Sequence, residues 1–144
     1  MDEGARGATT TFVQRQIGDV LIGWENEALL VVNTIGSGRF DIVYPPESIR
    51  CEPPVAVVDK YAQQHGTREV AEAYLGFLYT PEAQEIAAQH YFRPSLEEIS
   101  RRHAAIFPPM KMFTVQEMFG SWKQAQKTQF DEGGIFDQIA RNRR

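Results

Sequence analysis

The sequence predicts an α/β protein in which helices surround a small mixed or parallel sheet. Three observations carry that expectation. Nearly unbroken apolar runs at 20–24, 40–44 and 55–58 have the character of short buried strands. Segments of helical period lie between and after them. Glycine or proline marks the junctions, as in Gly36-Ser37-Gly38, Pro45-Pro46 and Pro53-Pro54. At 144 residues the chain is long enough for one domain with a core and too short for two independent ones.

The elements follow in order. The small, polar stretch 4–11 (GARGATTT) reads as a tight turn opening a short helix. Phe12, Val13 and Ile17 continue it to a stop near Gly18-Asp19. A strand is expected at 20–24, and 26–35 turns helical before the Gly36-Ser37-Gly38 stop. The second and third strands follow at 40–44 and 55–58. From Thr67 onward the pattern is helical almost to the end. Val70, Ala73, Tyr74, Phe77 and Leu78 mark one apolar face, expected to be buried. Thr80-Pro81 provides an N-cap with proline at the first helical position. Ser95 to Glu98 and Thr114 to Glu117 both fit a capping box. Val115, Met118, Phe119 and Trp122 line one face of the helix after Thr114. Gly133-Gly134 ends it, and Ile135, Phe136 and Ile139 begin the last helix. Arg141, Arg143 and Arg144 read as a frayed helix end rather than a binding site. Three short strands make a thin sheet for so many helices. Such a domain is expected to leave a sheet edge or helix face uncovered, as though something were missing ahead of the chain.

The formal net charge of −4 gives no overall basic surface for nucleic acid, and Lys and Arg are scattered, so no nucleic-acid partner is expected. One cysteine, Cys51, permits no intrachain disulfide. Nothing approaches the ~20 apolar residues of a membrane span. The start Met1-Asp2-Glu3-Gly4 lacks the charged-then-apolar pattern of a secretory signal. That fits a cytoplasmic protein and equally an exported one in mature or truncated form.

Candidate chemistry is sparse. His65, His90 and His103 are far apart and fit no metal-ligand spacing, so no metal site is expected. Glu25 and Glu27 resemble a pair for acid–base work. However, i and i+2 side chains on a helix do not face each other, and carboxylates there complement the helix dipole without catalysis. No nucleophile elbow, zinc-protease or phosphate-loop motif occurs, so neither an enzyme nor a cofactor is indicated. Two features remain. The turn Gly4-Ala5-Arg6-Gly7 at a helix start presents free amides to an anion, although every helix has such an end. Trp24 stands at the carboxy end of an expected strand, where α/β sheets gather ligands, and its indole N–H can only donate. Core packing is the ordinary role of such a tryptophan.

These segments resemble a known family. Residues 4–9 (GARGAT) and 18–28 (GDVLIGWENEA) are similar to the sulfate- and thiosulfate-binding receptors of bacterial ABC importers. So are 73–88 (AYLGFLYTPEAQEIAA), 91–94 (YFRP), 113–122 (FTVQEMFGSW), 123–127 (KQAQK) and 133–139 (GGIFDQI). The blocks run nearly end to end in the family's order. The resemblance implies a type II periplasmic-binding-protein fold, two lobes with the anion in the cleft between them. Residues 1–144 would be its carboxy-terminal half, holding parts of both lobes. It implies a non-enzymatic receptor in the periplasm, serving a membrane permease. It assigns sulfate binding to the Ala5 amide and the Trp24 indole, with Gly4, Arg6 and Gly7 behind them. The family's other donors, a serine-bearing loop and a Ser-Gly-Gly segment, have no counterpart here, and Ser37-Gly38 is not that segment. The site is therefore expected to be incomplete. Arg6 would either polarise the amides or pair with a surface carboxylate, the second being preferred. A fully ionised sulfate offers only acceptors, so a pocket of neutral donors suits it and leaves the proton of phosphate unpaired. The competing expectation is a self-associating module, such as a homodimer, that binds no solute.

Overall fold

The computed structural model describes residues 2–141. They divide into two compact units, each built from discontinuous segments. One comprises the chain up to Tyr44 together with Val55–Pro109, the other Pro45–Pro54 together with the chain from Met110.

The first unit is helical. Helix α1 (Gly4–Arg15) stops where Gln16 turns left-handed at φ 54° and Gly18 follows at φ 95°. Helix α2 (Glu25–Leu30) runs on into a π-helical turn, Val31–Ile35, so 26–35 is helical as expected. Its stop is steric as well as entropic: a Cβ on Gly36 would lie 2.7 Å from the Phe40 ring. That ring in turn packs against Phe12 with centroids 5.1 Å apart. Helix α3 (Asp59–Gln64), which carries no strong sequence signal, precedes α4 (Arg68–Phe77). Helix α5 (Pro81–Gln89) begins as its sequence dictates, with the Thr80 hydroxyl accepting from the Ala83 amide at 3.3 Å and Pro81 at N1. Helix α6 (Glu97–Arg102) does not follow its expected capping box. The Ser95 amide and hydroxyl both donate to Gln84 Oε1, at 2.8 and 3.1 Å, so Ser95 ties α6 to α5 instead. The core gathers Leu29, Ala88, Ile99 and Phe107, with Ile42, Tyr91, Leu96 and Ile106 packed around them.

The second unit holds the sheet. Strands β1 (Glu47–Ile49) and β2 (Lys111–Phe113) pair in parallel, with Glu47 opposite Lys111, Ser48 opposite Met112 and Ile49 opposite Phe113. Glu47 and Lys111 also form an ion pair across the strands. Helix α7 (Val115–Phe119) has a complete capping box. Thr114 Oγ1 accepts from the Glu117 amide, and the Glu117 carboxylate accepts from the Thr114 amide. Gly120, at φ 76°, then breaks the helix that the sequence reads as continuous. Ser121 caps a new one, α8 (Trp122–Ala125), which passes into a π-helical turn at Gln126–Phe130. Helix α9 (Ile135–Arg141) is the last, after Gly133 and Gly134. The expected frayed end at Arg143 and Arg144 lies outside the described residues.

The α/β class and the small parallel sheet hold, but the strands are not the expected ones. Segments 20–24, 40–44 and 55–58 pair with nothing among the described residues. Ile22 is 96% exposed and Val43 90%. A strand exists only with a neighbour to take its backbone hydrogen bonds, and none of these runs has one. Two apolar faces are also corrected. Val70, Tyr74 and Phe77 of α4 are exposed, and past Gly120 Trp122 no longer shares a helix with Val115, the one buried residue of α7.

Candidate functional site

The candidate site belongs to the first unit, where α1 and α2 begin. Gly4, Ala5, Arg6 and Gly7 form the first turn of α1. The preceding residue, Glu3, supplies no side-chain cap to their amides. Gly4 opens the turn at φ 71°, a conformation natural to glycine and strained for other residues. The Thr9 hydroxyl donates to Ala5 O at 2.9 Å and the Thr10 hydroxyl to Arg6 O at 2.8 Å, fixing the turn from behind. Asp2 lies against Gly7 and accepts from the Thr11 hydroxyl at 2.7 Å. Ala5 itself is exposed.

Trp24 is the N-cap residue of α2. Its backbone is extended (φ −68°, ψ 147°), and its carbonyl accepts from the Ala28 amide at 3.1 Å. The residue is 52% exposed, so it is not the buried core tryptophan that its residue type first suggests.

Two arginine forks hold this arrangement. Arg6 donates through Nε to Glu27 Oε2 at 2.7 Å and through Nη2 to Glu27 Oε1 at 2.9 Å. The first turn of α1 is thereby clamped to the first turn of α2. Glu27 is only 5% exposed, so Arg6 pairs with a buried carboxylate rather than a surface one. The Arg6 hydrogen bonds hold the Glu27 carboxyl below its ordinary pKa, against a smaller opposing push from burial. Arg6 is raised in return. The second fork joins Arg93 to Glu25, Nε to Oε2 at 2.9 Å and Nη2 to Oε1 at 2.7 Å. Arg93 Nη2 also donates to Pro108 O at 3.1 Å, and the guanidinium lies 5.3 Å from the centroid of the core Phe107 ring. The Glu25 hydrogen bonds raise the Arg93 pKa, and burial raises that of the nearby Tyr44 hydroxyl.

Ala5 and Trp24 are thus carried on two helix starts that Arg6 and Glu27 bind together, with Gly4, Arg6 and Gly7 around the Ala5 amide. Glu25 and Glu27 do not face each other. Each takes its own arginine, which excludes a shared-proton carboxylate pair. Sequence reasoning gave both acids only a dipole role and missed Arg93. The i, i+2 spacing indicated only that the two carboxylates do not share a partner, and Arg93 lies too far along the chain for the sequence to announce the pairing.

No group of three or more His, Cys, Asp or Glu side chains gathers to hold a metal among the described residues. His65, His90 and His103 each end a helix, α3, α5 and α6 respectively, and His103 Nε2 lies 2.6 Å from Glu85 Oε1. No described helix is long and apolar enough to cross a membrane.

The chain is similar to several characterised proteins. It is 57% identical over 141 residues to a sulfate-binding protein of Escherichia coli, a match covering 98% of this chain and 43% of that protein. A thiosulfate-binding protein of Pseudomonas aeruginosa is 51% identical over 139 residues, 96% of this chain and 42% of its own length. A sulfate-binding protein of Synechocystis is 40% identical over 139 residues, 96% and 39% respectively. The chain therefore spans well under half the length of the relatives it matches. Residues 1–93, containing both helix starts and both arginine forks, match the bacterial extracellular solute-binding proteins, and the chain belongs to that family.

Proposed function

We propose that this chain supplies two hydrogen-bond donors, the Ala5 amide and the Trp24 indole N–H, to the oxyanion site of a sulfate or thiosulfate receptor. In this reading the receptor is not an enzyme. It works in the periplasm and delivers its ligand to the membrane permease of an ABC importer. The chain is the carboxy-terminal half of a two-lobe receptor and carries parts of both lobes. Its division into two units, each made of discontinuous segments, supports that placement, and the names of the similar proteins support the ligand class.

One observation carries the reading: the Arg6–Glu27 fork brings two helix starts together, with the exposed Ala5 on one and the half-exposed Trp24 on the other. The fork also balances the Arg6 charge, so neutral N–H groups remain to meet the anion. Such donors satisfy a sulfate without a cation in contact, because all of its oxygens accept.

The test is calorimetry on a chimera in which this chain replaces its 141-residue match in the Escherichia coli sulfate-binding protein. Trp24→Phe removes one hydrogen bond to a charged ligand, worth about 1.5–3 kcal/mol. Sulfate affinity is expected to fall about tenfold to hundredfold. Unchanged affinity would remove Trp24 from the site. The 144-residue chain alone is expected to bind sulfate weakly or not at all.

A second reading, a self-associating module without solute, is favoured by the exposed runs around Val20, Ile22 and Val43. A second copy could cover them by edge pairing or exchange of elements.

A further inference from the structure

The residue after Trp24 is an acid, and a carboxylate is a poor neighbour for a dianion. Glu25 is one peptide unit from Trp24, about 3.8 Å between α-carbons. An uncompensated charge there would act on a bound oxyanion through partly desolvated surroundings, where repulsion is stronger than in water. The structure supplies the compensation from 68 residues away. Arg93 meets both Glu25 oxygens in a planar fork. The guanidinium is itself held by Pro108 O and by the Phe107 ring of the core. Both side chains of the pair are mostly buried, 18% exposed for Arg93 and 21% for Glu25. A fork fixed at three points is a built element, unlike the solvent-exposed Arg68–Asp59 and Arg101–Glu97 pairs elsewhere.

We propose that Arg93 is a positioning and charge-masking residue for anion binding. It cancels the Glu25 carboxylate beside Trp24 and anchors the start of α2 to the core, so that the indole donor faces an electrically neutral surface. The inference rests on the proposed anion site at the start of α2, whichever group there donates to the ligand, and adds to it a residue outside the ligand's contact.

The experiment uses the same chimera and measures sulfate affinity by calorimetry. Arg93→Gln bares the Glu25 charge and should weaken binding about tenfold, a loss that shrinks as potassium chloride is raised. Adding Glu25→Gln to Arg93→Gln should recover most of the loss, because the offending charge is then gone. A merely structural Arg93 predicts the reverse, a double variant no better than the single one and no dependence on salt. Arg93→Lys keeps the positive charge and loses the fork. It should bind more tightly than Arg93→Gln, and it carries the test if Arg93→Gln does not fold. Failure of the two readings is distinguishable. If Trp24→Phe weakens binding while Arg93→Gln does not, or if the double variant shows no recovery, Arg93 has no masking role. If the Arg93 series behaves as expected while Trp24→Phe is neutral, the donor assignment falls and the masking stands. If neither variant changes affinity, both are wrong.

Discussion

Glu27 is a carboxylate that folding takes out of water and gives to Arg6. Its pKa in the folded chain lies below the ordinary value of 4.5, chiefly because Arg6 hydrogen-bonds its ionised form. A depressed folded pKa contributes stability that is present above the unfolded value and lost as pH falls through the folded one. The thermal midpoint should therefore fall as the solution is acidified from neutrality through the pH 4.5 region and below. Glu27→Gln cannot ionise, so it should be less stable at pH 7 and show a flatter acid limb. Circular dichroism melts across pH would check this, and parallel curves for the two proteins would show that the Arg6 fork adds nothing to folding. At this scale the sequence offered candidates: Ala5 and Trp24 came from the likeness of 4–9 and 18–28 to known receptors, and no side chain of Glu3 caps the turn that holds Ala5. The arginine forks were not legible. Arg93 lies 68 residues from Glu25 in the chain, and charges that far apart carry no local pattern announcing their pairing.

Elements were legible where their signal is local. Thr114 and Glu117 exchange hydrogen bonds within four residues, and the capping box formed as written. Thr114→Ala should cost about 1 kcal/mol, and Thr114→Ser much less, because serine restores the hydroxyl acceptor. Denaturant unfolding monitored by circular dichroism would measure both, and equal losses would show that the hydroxyl is not what stabilises α7. Ser95 has the same pattern, yet Gln84, eleven residues earlier, captures it. The sequence of a cap does not reveal a competing acceptor from another helix. Strands failed for a related reason. A strand is a property of two segments, and apolar character at 20–24, 40–44 and 55–58 specifies burial without naming a neighbour. The pair that did form, Glu47-Ser48-Ile49 with Lys111-Met112-Phe113, is three residues long on each side. Neither side contains an apolar run long enough to stand out.

At the scale of the whole molecule, the first unit has a small core and a large uncovered apolar inventory. Val20, Ile22, Val43, Val58, Val70 and Tyr74 are all more than half exposed. A monomeric protein rarely leaves so much apolar surface in water, and unpaired extended backbone beside it invites pairing with another chain. The relatives it matches are more than twice this length, and under the proposed function the remainder of such a receptor would be the covering partner. Two settings therefore give opposite expectations for one pair of substitutions. In the 144-residue chain alone, the unsubstituted protein should associate at micromolar concentration in light scattering, and Ile22→Lys with Val43→Lys should restore a monomer. The thermal midpoint should then barely move, since exposed positions cost within about 0.5 kcal/mol. In the chimera the same two positions should be buried against the added segments, and lysine there should destabilise strongly, because a buried ammonium without a partner is among the costliest changes a core can suffer. A chain that is monomeric without substitution, together with a chimera indifferent to both lysines, would mean that these runs are ordinary exposed surface. The three apolar segments would then owe their character to something other than a sheet awaiting its neighbours.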